Sequence, residues 1–266
     1  MKVVILGAGG CFGQNLARYL VRFGYSVVGY GRSMPKPEPY TLGFRFEYRV
    51  FHLVEHFDLA WADIEKINPD VIISFAAHAG LVPQSWIYPE AFYATNTLLP
   101  VKIAQRLGKN TRYIHIGSSE VYGSVDRPVG EEAPILCSSP YAVSKAAADL
   151  HLMTLRDDRF TVIRPSNCYC PGQALYRLIP RAVFACVSGQ KMALQGTAQK
   201  SFMHAEDLSS AIEILLRKPT PGVFNVGPES PIGIQKVVSM VAEAFEMGLD
   251  DIADVAPPRA HEDSCF

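Results

Sequence analysis

The chain has 266 residues, and its 25 Lys and Arg against 26 Asp and Glu leave a formal net charge of −1. That balance gives no electrostatic footprint for nucleic acid or for an anionic membrane surface, and no apolar run approaches the roughly 18 residues of a membrane span. Six cysteines without a C-x-x-C pair point to reduced thiols rather than a zinc site, and an N-terminus that runs straight into a strand carries no signal-peptide pattern, so a cytoplasmic protein is expected.

The first stretch organises the rest. Val3 to Leu6 is a short apolar run that predicts a buried strand. Gly7, Gly10 and Gly13 follow, and Leu16, Ala17 and Leu20 then recur at helical spacing. Strand, glycine turn and helix together form a phosphate-binding βα unit, in which a pyrophosphate meets the free N–H groups of the helix N-terminus. Cys11 and Phe12 lie inside that turn. The helix stops near Phe23-Gly24, and Ser26 to Tyr30 is the second strand. An acid that would hold a ribose 2′-hydroxyl is expected about 20 residues beyond the glycines. That place holds Gly31, followed by Arg32 and Ser33. A cation and a hydroxyl without the acid favour NADP over NAD.

Residues 34–50 carry prolines at 35, 37 and 39 and predict a loop with a short third strand. Ala60 to Ile67 looks helical, and Val71 to Ala77 predicts a buried strand closing on Ala76 and Ala77. A helix is expected from Pro89 to Arg106, with the polar Asn96 amid apolar neighbours. Tyr113 to Gly117 is the fifth strand, and Ser118-Ser119-Glu120 leaves the edge at which ligands bind in open α/β sheets. Ser138-Ser139-Pro140 opens a helix over Tyr141 to Arg156, and Thr161 to Arg164 is the sixth strand. The texture then changes to an irregular link from Pro165 through Gln173. Beyond it come a helix near 179–188, a strand near Met192, a helix from Asp207 to Arg217, a strand at 223–226 and a helix at 234–245. The expected fold is α/β, a Rossmann-like doubly wound parallel sheet with a smaller C-terminal substrate-binding lobe. The expected division is a dinucleotide domain over 1–165 and a lobe over 166–266, with part of 202–226 returning to the first.

Tyr141-Ala142-Val143-Ser144-Lys145 puts a phenol and an ammonium on one helix face. An adjacent ammonium favours the phenolate and would lower the Tyr141 pKa toward that of a general base near neutrality.

Glycine turn, strand-end Ser118 and Tyr-Lys pair, in that order, resemble the extended short-chain dehydrogenase/reductase family of NAD(P)-dependent nucleotide-sugar epimerases and dehydratases. Matching phrases are Ser118 to Gly123, Arg164 to Asn167, Phe202 to Asp207 and Phe224 to Gly227. The resemblance implies that Tyr141 takes the sugar 4-hydroxyl proton while hydride passes to the nicotinamide. It implies that Ser118 bonds the same oxygen and Lys145 holds the nicotinamide ribose. Asp58 and Leu59 stand nearest to a step that touches the adenine, and Pro165 falls in the cofactor site. Asn96 would bridge backbone behind the active site. Asn167, Lys200 and Arg259 would bind substrate, with Lys200 in place of an arginine that grips the diphosphate. Glu120 sits where 4,6-dehydratases carry the base for the C5 proton, and Ser119 where some carry the acid for the leaving hydroxyl. The reading is therefore a nucleotide-sugar 4,6-dehydratase with bound NADP or NAD. A 4-epimerase, a UDP-glucuronate-type decarboxylase and a catalytically silent dinucleotide sensor stand as alternatives. The family also implies a homodimer through the helices carrying Tyr141 and Asn96. Its members run longer than this chain, which implies a lobe incomplete beyond Phe266.

Overall fold

The computed structural model describes residues 1–34, 45–80, 82–125, 127–196 and 198–256. Strand β1 (Lys2–Leu6) runs into α1 (Cys11–Arg22), β2 (Ser26–Gly31), β3 (Phe46–Val50), α2 (Phe57–Ile67) and β4 (Val71–Ser74). The chain continues through α3 (Val82–Ile87), α4 (Pro89–Tyr93), α5 (Leu99–Arg106), β5 (Arg112–Ile116), α6 (Pro140–Thr154) and β6 (Phe160–Pro165). Next come β7 (Asn167–Tyr169), α7 (Leu178–Ser188), β8 (Met192–Gln195), β9 (Gln199–Lys200), β10 (Phe202–His204) and α8 (Ala205–Arg217). The last elements are β11 (Gly222–Val226), β12 (Ile232–Gly233), α9 (Ile234–Ala244), α10 (Leu249–Ile252) and β13 (Ala253–Ala256).

Seven strands form one parallel sheet in the order β11-β6-β5-β4-β1-β2-β3. Alternation along β1 explains why the whole run is apolar. Val3 and Ile5 face one core with Leu16 and Leu20 of α1 and Leu208 and Ile212 of α8. Val4 and Leu6 face the other, with Trp61 of α2, Ile103 of α5 and Leu152 of α6. Both faces are covered, as a parallel sheet requires. A third core, with Ala182, Leu194, Val238 and Ile252, joins α7, β8, α9 and α10 outside that sheet. Strand β11 pairs with β6, from Gly222↔Thr161 to Val226↔Pro165, so the chain after β10 rejoins the main sheet.

Strand order reverses between β1 and β4, the place where open α/β sheets leave a crevice. The glycines set its floor. Gly7 has φ +80°, and a Cβ there would stand 2.6 Å from the Ala76 nitrogen. A Cβ on Gly13 would stand 2.5 Å from the Gly7 oxygen and 2.8 Å from Ala8 Cα. At Gly10 the nearest atom is 3.4 Å away, so its lack of a side chain is not demanded by internal packing.

Two expected elements differ. Strand β4 ends at Ser74 rather than Ala77: Phe75 N–H still bonds the Leu6 carbonyl at 2.8 Å, and then β1 turns away at Gly7. The expected helix over Pro89–Arg106 is interrupted by a π-turn at Ala94–Leu98. Pro100 has no N–H to give the Asn96 carbonyl four residues back, and the helix widens there. The prolines at 35, 37 and 39 lie outside the described residues.

Gly13→Ala is expected to destabilise the fold by about 3 kcal/mol, because the added methyl meets only backbone. Gly10→Ala should stay within about 0.5 kcal/mol. Urea unfolding of the two variants separates these outcomes.

Candidate active site

Two cavities meet over Phe75 and Ala77 at the C-terminal edge of the sheet. The first, about 280 Å³, is lined by Gly7, Gly10, Arg32, Ser33, Ala76 and Ala77. His52, Leu53, Val54 and His78 complete much of its wall. Gly10 caps α1 without a side chain, and the first turn holds no acid, so that helix N-terminus is free to meet an anion. No carboxylate is among the described lining residues of this cavity. At Gly31 the space of a side chain is filled by the Tyr48 hydroxyl, which donates to the Ser33 carbonyl at 2.8 Å. A glycine cradle, an uncapped helix and a cation at the rim fit a dinucleotide.

Asp58 and Leu59 are not brought to this cavity. Both sit on α2, where Asp58 pairs with Arg106 at 2.8 Å and Leu59 is 66% exposed. His52, Leu53 and Val54, just before α2, line the cavity in their place. No spacing signal marked that triplet.

The second cavity, about 160 Å³, gathers Phe12, Ser118, Ser119, Glu120, Tyr141, Lys145, Pro165 and Asn167. Gln173 and Arg177, from the loop before α7, also line it. Ser139 caps α6 by accepting from the Ala142 N–H at 3.1 Å, with Pro140 in the first turn. This cap sets Tyr141 at the mouth of α6. Ser118 caps the 3₁₀ turn at Ser119–Tyr122, accepting from the Glu120 N–H at 3.2 Å, and its hydroxyl meets the Tyr141 phenol.

Asn96 is fully buried in the π-turn. It accepts from the His78 N–H at 2.8 Å and donates to the His78 carbonyl and to Ser144 Oγ. Ser144 in turn donates to the Tyr141 carbonyl at 2.7 Å.

The electrostatics correct one expectation. Burial, and then the Glu120 carboxylate, push the Tyr141 phenol above its usual range, while Ser118 and Arg177 oppose them. Lys145 does not offset this. Its ammonium donates to the Ile116 carbonyl at 2.8 Å, and burial lowers its pKa to about 8. Arg177, which the sequence did not mark, supplies a positive charge near the phenol and is held by the Ala79 carbonyl at 3.0 Å.

A third cavity, about 300 Å³, adjoins the second and shares Ser119 and Ser166 with it. Gln199 and Ser201 line it, whereas Lys200 between them does not. Lys200 lies on β9, paired to β12. Arg259 is outside the described residues.

The model of the NAD dependent epimerase/dehydratase family matches residues 3–227. The chain belongs to that family. A trifunctional UDP-glucose 4,6-dehydratase/UDP-4-keto-6-deoxy-D-glucose 3,5-epimerase/UDP-4-keto-L-rhamnose-reductase of Arabidopsis thaliana is 28% identical over 92% of this chain and 40% of its own length. A dTDP-glucose 4,6-dehydratase of Streptomyces antibioticus is 28% identical over 77% of this chain and 64% of its own. This chain thus spans less than two thirds of these relatives. The crystal structure of a Bacillus anthracis dTDP-glucose 4,6-dehydratase with NAD has a TM-score of 0.87 at 23% identity, covering 100% of this chain and 86% of that one. A Thermotoga maritima UDP-glucose 4-epimerase structure has a TM-score of 0.88 at 20% identity, over 100% and 88%. At such identities these structures establish the shared fold, the doubly wound parallel sheet.

The lowered Lys145 pKa has a signed consequence for stability. Between pH 8 and 10.5 the unfolded chain still holds a proton that the folded lysine has released, so stability from this group rises with pH. Relative to Lys145→Met, the wild type should gain stability across that window in urea titrations.

Proposed function

We propose that this protein is a nucleotide-sugar 4,6-dehydratase working with bound NADP or NAD. The observation that carries this reading is one cavity holding both the Tyr141 phenol and the Glu120 carboxylate, near enough for the second to raise the first. Alcohol oxidation needs one base; elimination of water needs a second group to take a carbon-bound proton. Gly7, Gly10 and Arg32 would hold the dinucleotide, which would supply the hydride acceptor for sugar C4 and the hydride donor for C6. Tyr141 takes the 4-hydroxyl proton, Ser118 orients the same oxygen, and Arg177 favours the phenolate. Glu120 takes the C5 proton, which the neighbouring ketone acidifies. Ser119 is too weak an acid to protonate the leaving hydroxyl, so Glu120 delivers the C5 proton there and water departs; as hydride returns to C6, C5 is reprotonated at the expense of the proton that Tyr141 took from the 4-hydroxyl.

The adjoining cavity, which shares Ser119 and Ser166, supports a substrate longer than a single sugar, a nucleoside diphosphate sugar, with Asn167 in the wall of the second cavity. Arg32 and Ser33 at the rim, His52 and His78 in the wall and the absence of a carboxylate among the described lining residues support NADP over NAD. A homodimer is supported by α6, which buries Ala142, Ala146 and Leu152 inward and exposes Val143, Leu150 and Met153 outward. Five free cysteines among the described residues suit a reducing cytoplasm.

Mass spectrometry after incubation with UDP-, dTDP-, GDP- and CDP-hexoses tests the reaction. Loss of one water supports dehydration; an isomer of unchanged mass supports an epimerase, and loss of carbon dioxide from a uronate supports a decarboxylase. Dinucleotide binding without turnover supports the sensor. Tyr141→Phe is expected to lower turnover by about 10²–10⁴-fold. Glu120→Gln should accumulate reduced nicotinamide and 4-keto sugar without losing water. Arg32→Ala should weaken NADP binding about 10–100-fold, the loss of one charge-assisted contact, and leave NAD binding unchanged in calorimetry.

A further inference from the structure

One side chain accounts for three glycines around the first cavity, and the chemistry proposed above does not use it. Gly9, Gly29 and Gly31 have ordinary backbone, and none has a positive φ. Their missing side chains are therefore a matter of space. A Cβ on Gly31 would overlap the Tyr48 hydroxyl, with the Tyr48 ring carbon Cζ next at 3.2 Å. A Cβ on Gly9 would stand 2.6 Å from the same hydroxyl. A Cβ on Gly29 would meet Ala8 Cβ at 2.7 Å and Tyr48 Cδ2 at 3.2 Å. Strand pairing puts the ring there. Tyr48 on β3 is the partner of Gly29 on β2, and Gly31 follows two residues on, so both glycines open toward the same side of the sheet. The half-buried ring lies along that side, packed on the core that β1 shares with α1. Its hydroxyl ends between the glycine turn and the end of β2, where it donates to the Ser33 carbonyl at 2.8 Å.

We propose that Tyr48 decides which dinucleotide the first cavity takes: its hydroxyl stands where the side chain of an acid at position 31 would begin, and its bond to Ser33 fixes the bend that carries Arg32 to the rim. Under the NADP reading above, on which this rests, both halves act in one direction. Gly31 ends β2, where an acid would grip the ribose 2′-hydroxyl of NAD and repel a 2′-phosphate. With Tyr48 in place that acid has no room, so the preference is built into the packing of the apoprotein. Arg32 supplies the attraction. Residues 31–33 leave the sheet in one short bend, and Tyr48 ties its far end back to β3. Arg32 lines the cavity with Gly9, Gly10 and Gly31. Burial, and then the Arg32 charge, hold the His78 imidazole below its usual range, which places the guanidinium on the same side as that wall. A 2′-phosphate would meet this guanidinium through charge-assisted bonds.

Calorimetric titration of the full chain with NAD and with NADP, and urea unfolding without either, test the role of Tyr48. Tyr48→Phe should weaken NADP binding about threefold to tenfold, the loss of one hydrogen bond, and leave NAD binding unchanged. Gly31→Asp with Tyr48 intact should lower the urea midpoint by about 0.5–1 M, because the new side chain must displace the ring, and should not tighten NAD. In the Tyr48→Leu background, whose side chain stops short of Gly31, the same Gly31→Asp should cost less than half as much. There it should tighten NAD about tenfold and weaken NADP. Equal cost of Gly31→Asp in both backgrounds overturns the assignment. So does a stable Gly31→Asp that gains NAD with Tyr48 in place, or an unchanged NADP-to-NAD ratio in Tyr48→Phe. Where Tyr48→Leu fails to fold, Tyr48→Phe and the single Gly31→Asp decide. A wild type that prefers NAD overturns the NADP reading and this role together; a wild type that prefers NADP, joined to any of the contrary variant results, overturns the role of Tyr48 alone.

Discussion

A buried carboxylate decides which way the Tyr141–Lys145 face of α6 points. Tyr141, Lys145 and Asp149 follow one another at four-residue steps on one helix face. Asp149 is fully buried and pairs with Arg164 Nε at 2.9 Å, while His115 Nε2 lies 3.5 Å from its other oxygen. Burial raises its pKa to about 6, against the pull of Arg164 and Lys145. Stranding such a charge is far costlier than keeping the pair, so α6 cannot rotate or slide on the sheet. The fit extends to the backbone: a Cβ on Gly117 would stand 2.9 Å from the carboxylate. Arg164 also bonds the Tyr122 hydroxyl at 2.7 Å, and Tyr122 donates to Asn225 at 2.8 Å. One network thus joins α6, β6, the turn after β5 and β11.

The opposite side of the site is fixed by a different device. The π-turn breaks a helix that would otherwise run from Pro89 to Arg106, and it turns Asn96 inward against the His78 backbone and Ser144. Thr97 adds a bond to the Ser144 carbonyl at 2.7 Å. Tyr141 is therefore held from both sides, by an ion pair toward the sheet and by amide and hydroxyl bonds toward the neighbouring helix. Arg177 closes the remaining side, its guanidinium donating to the Ala79 carbonyl at 3.0 Å.

Local signals were legible wherever a residue answers to its immediate chain neighbours. The parallel strands showed as apolar runs because both faces of the sheet are buried. Ser139 and Pro140 announced α6 because a cap and a first turn are local by nature. Gly7 and Gly13 could be read because the tight βα turn leaves no room for a Cβ. The break at Pro100 was equally local and was passed over, because apolar periodicity on either side of it runs on.

The sequence by itself determined the sheet, the glycine turn and the tyrosine–lysine face, since each is set by spacing within a few residues. Only the tertiary structure decided what surrounds them. His52, Leu53 and Val54, rather than Asp58 and Leu59, face the first cavity, because the chain enters α2 a few residues earlier than the apolar pattern suggests. Lys145 spends its ammonium on the Ile116 carbonyl, and Arg177 arrives at Tyr141 from a loop 36 positions away. Charge and burial are properties of neighbours in space. No period along the chain encodes them, because the residues that meet at the cleft come from strands and loops that only the closed sheet brings together.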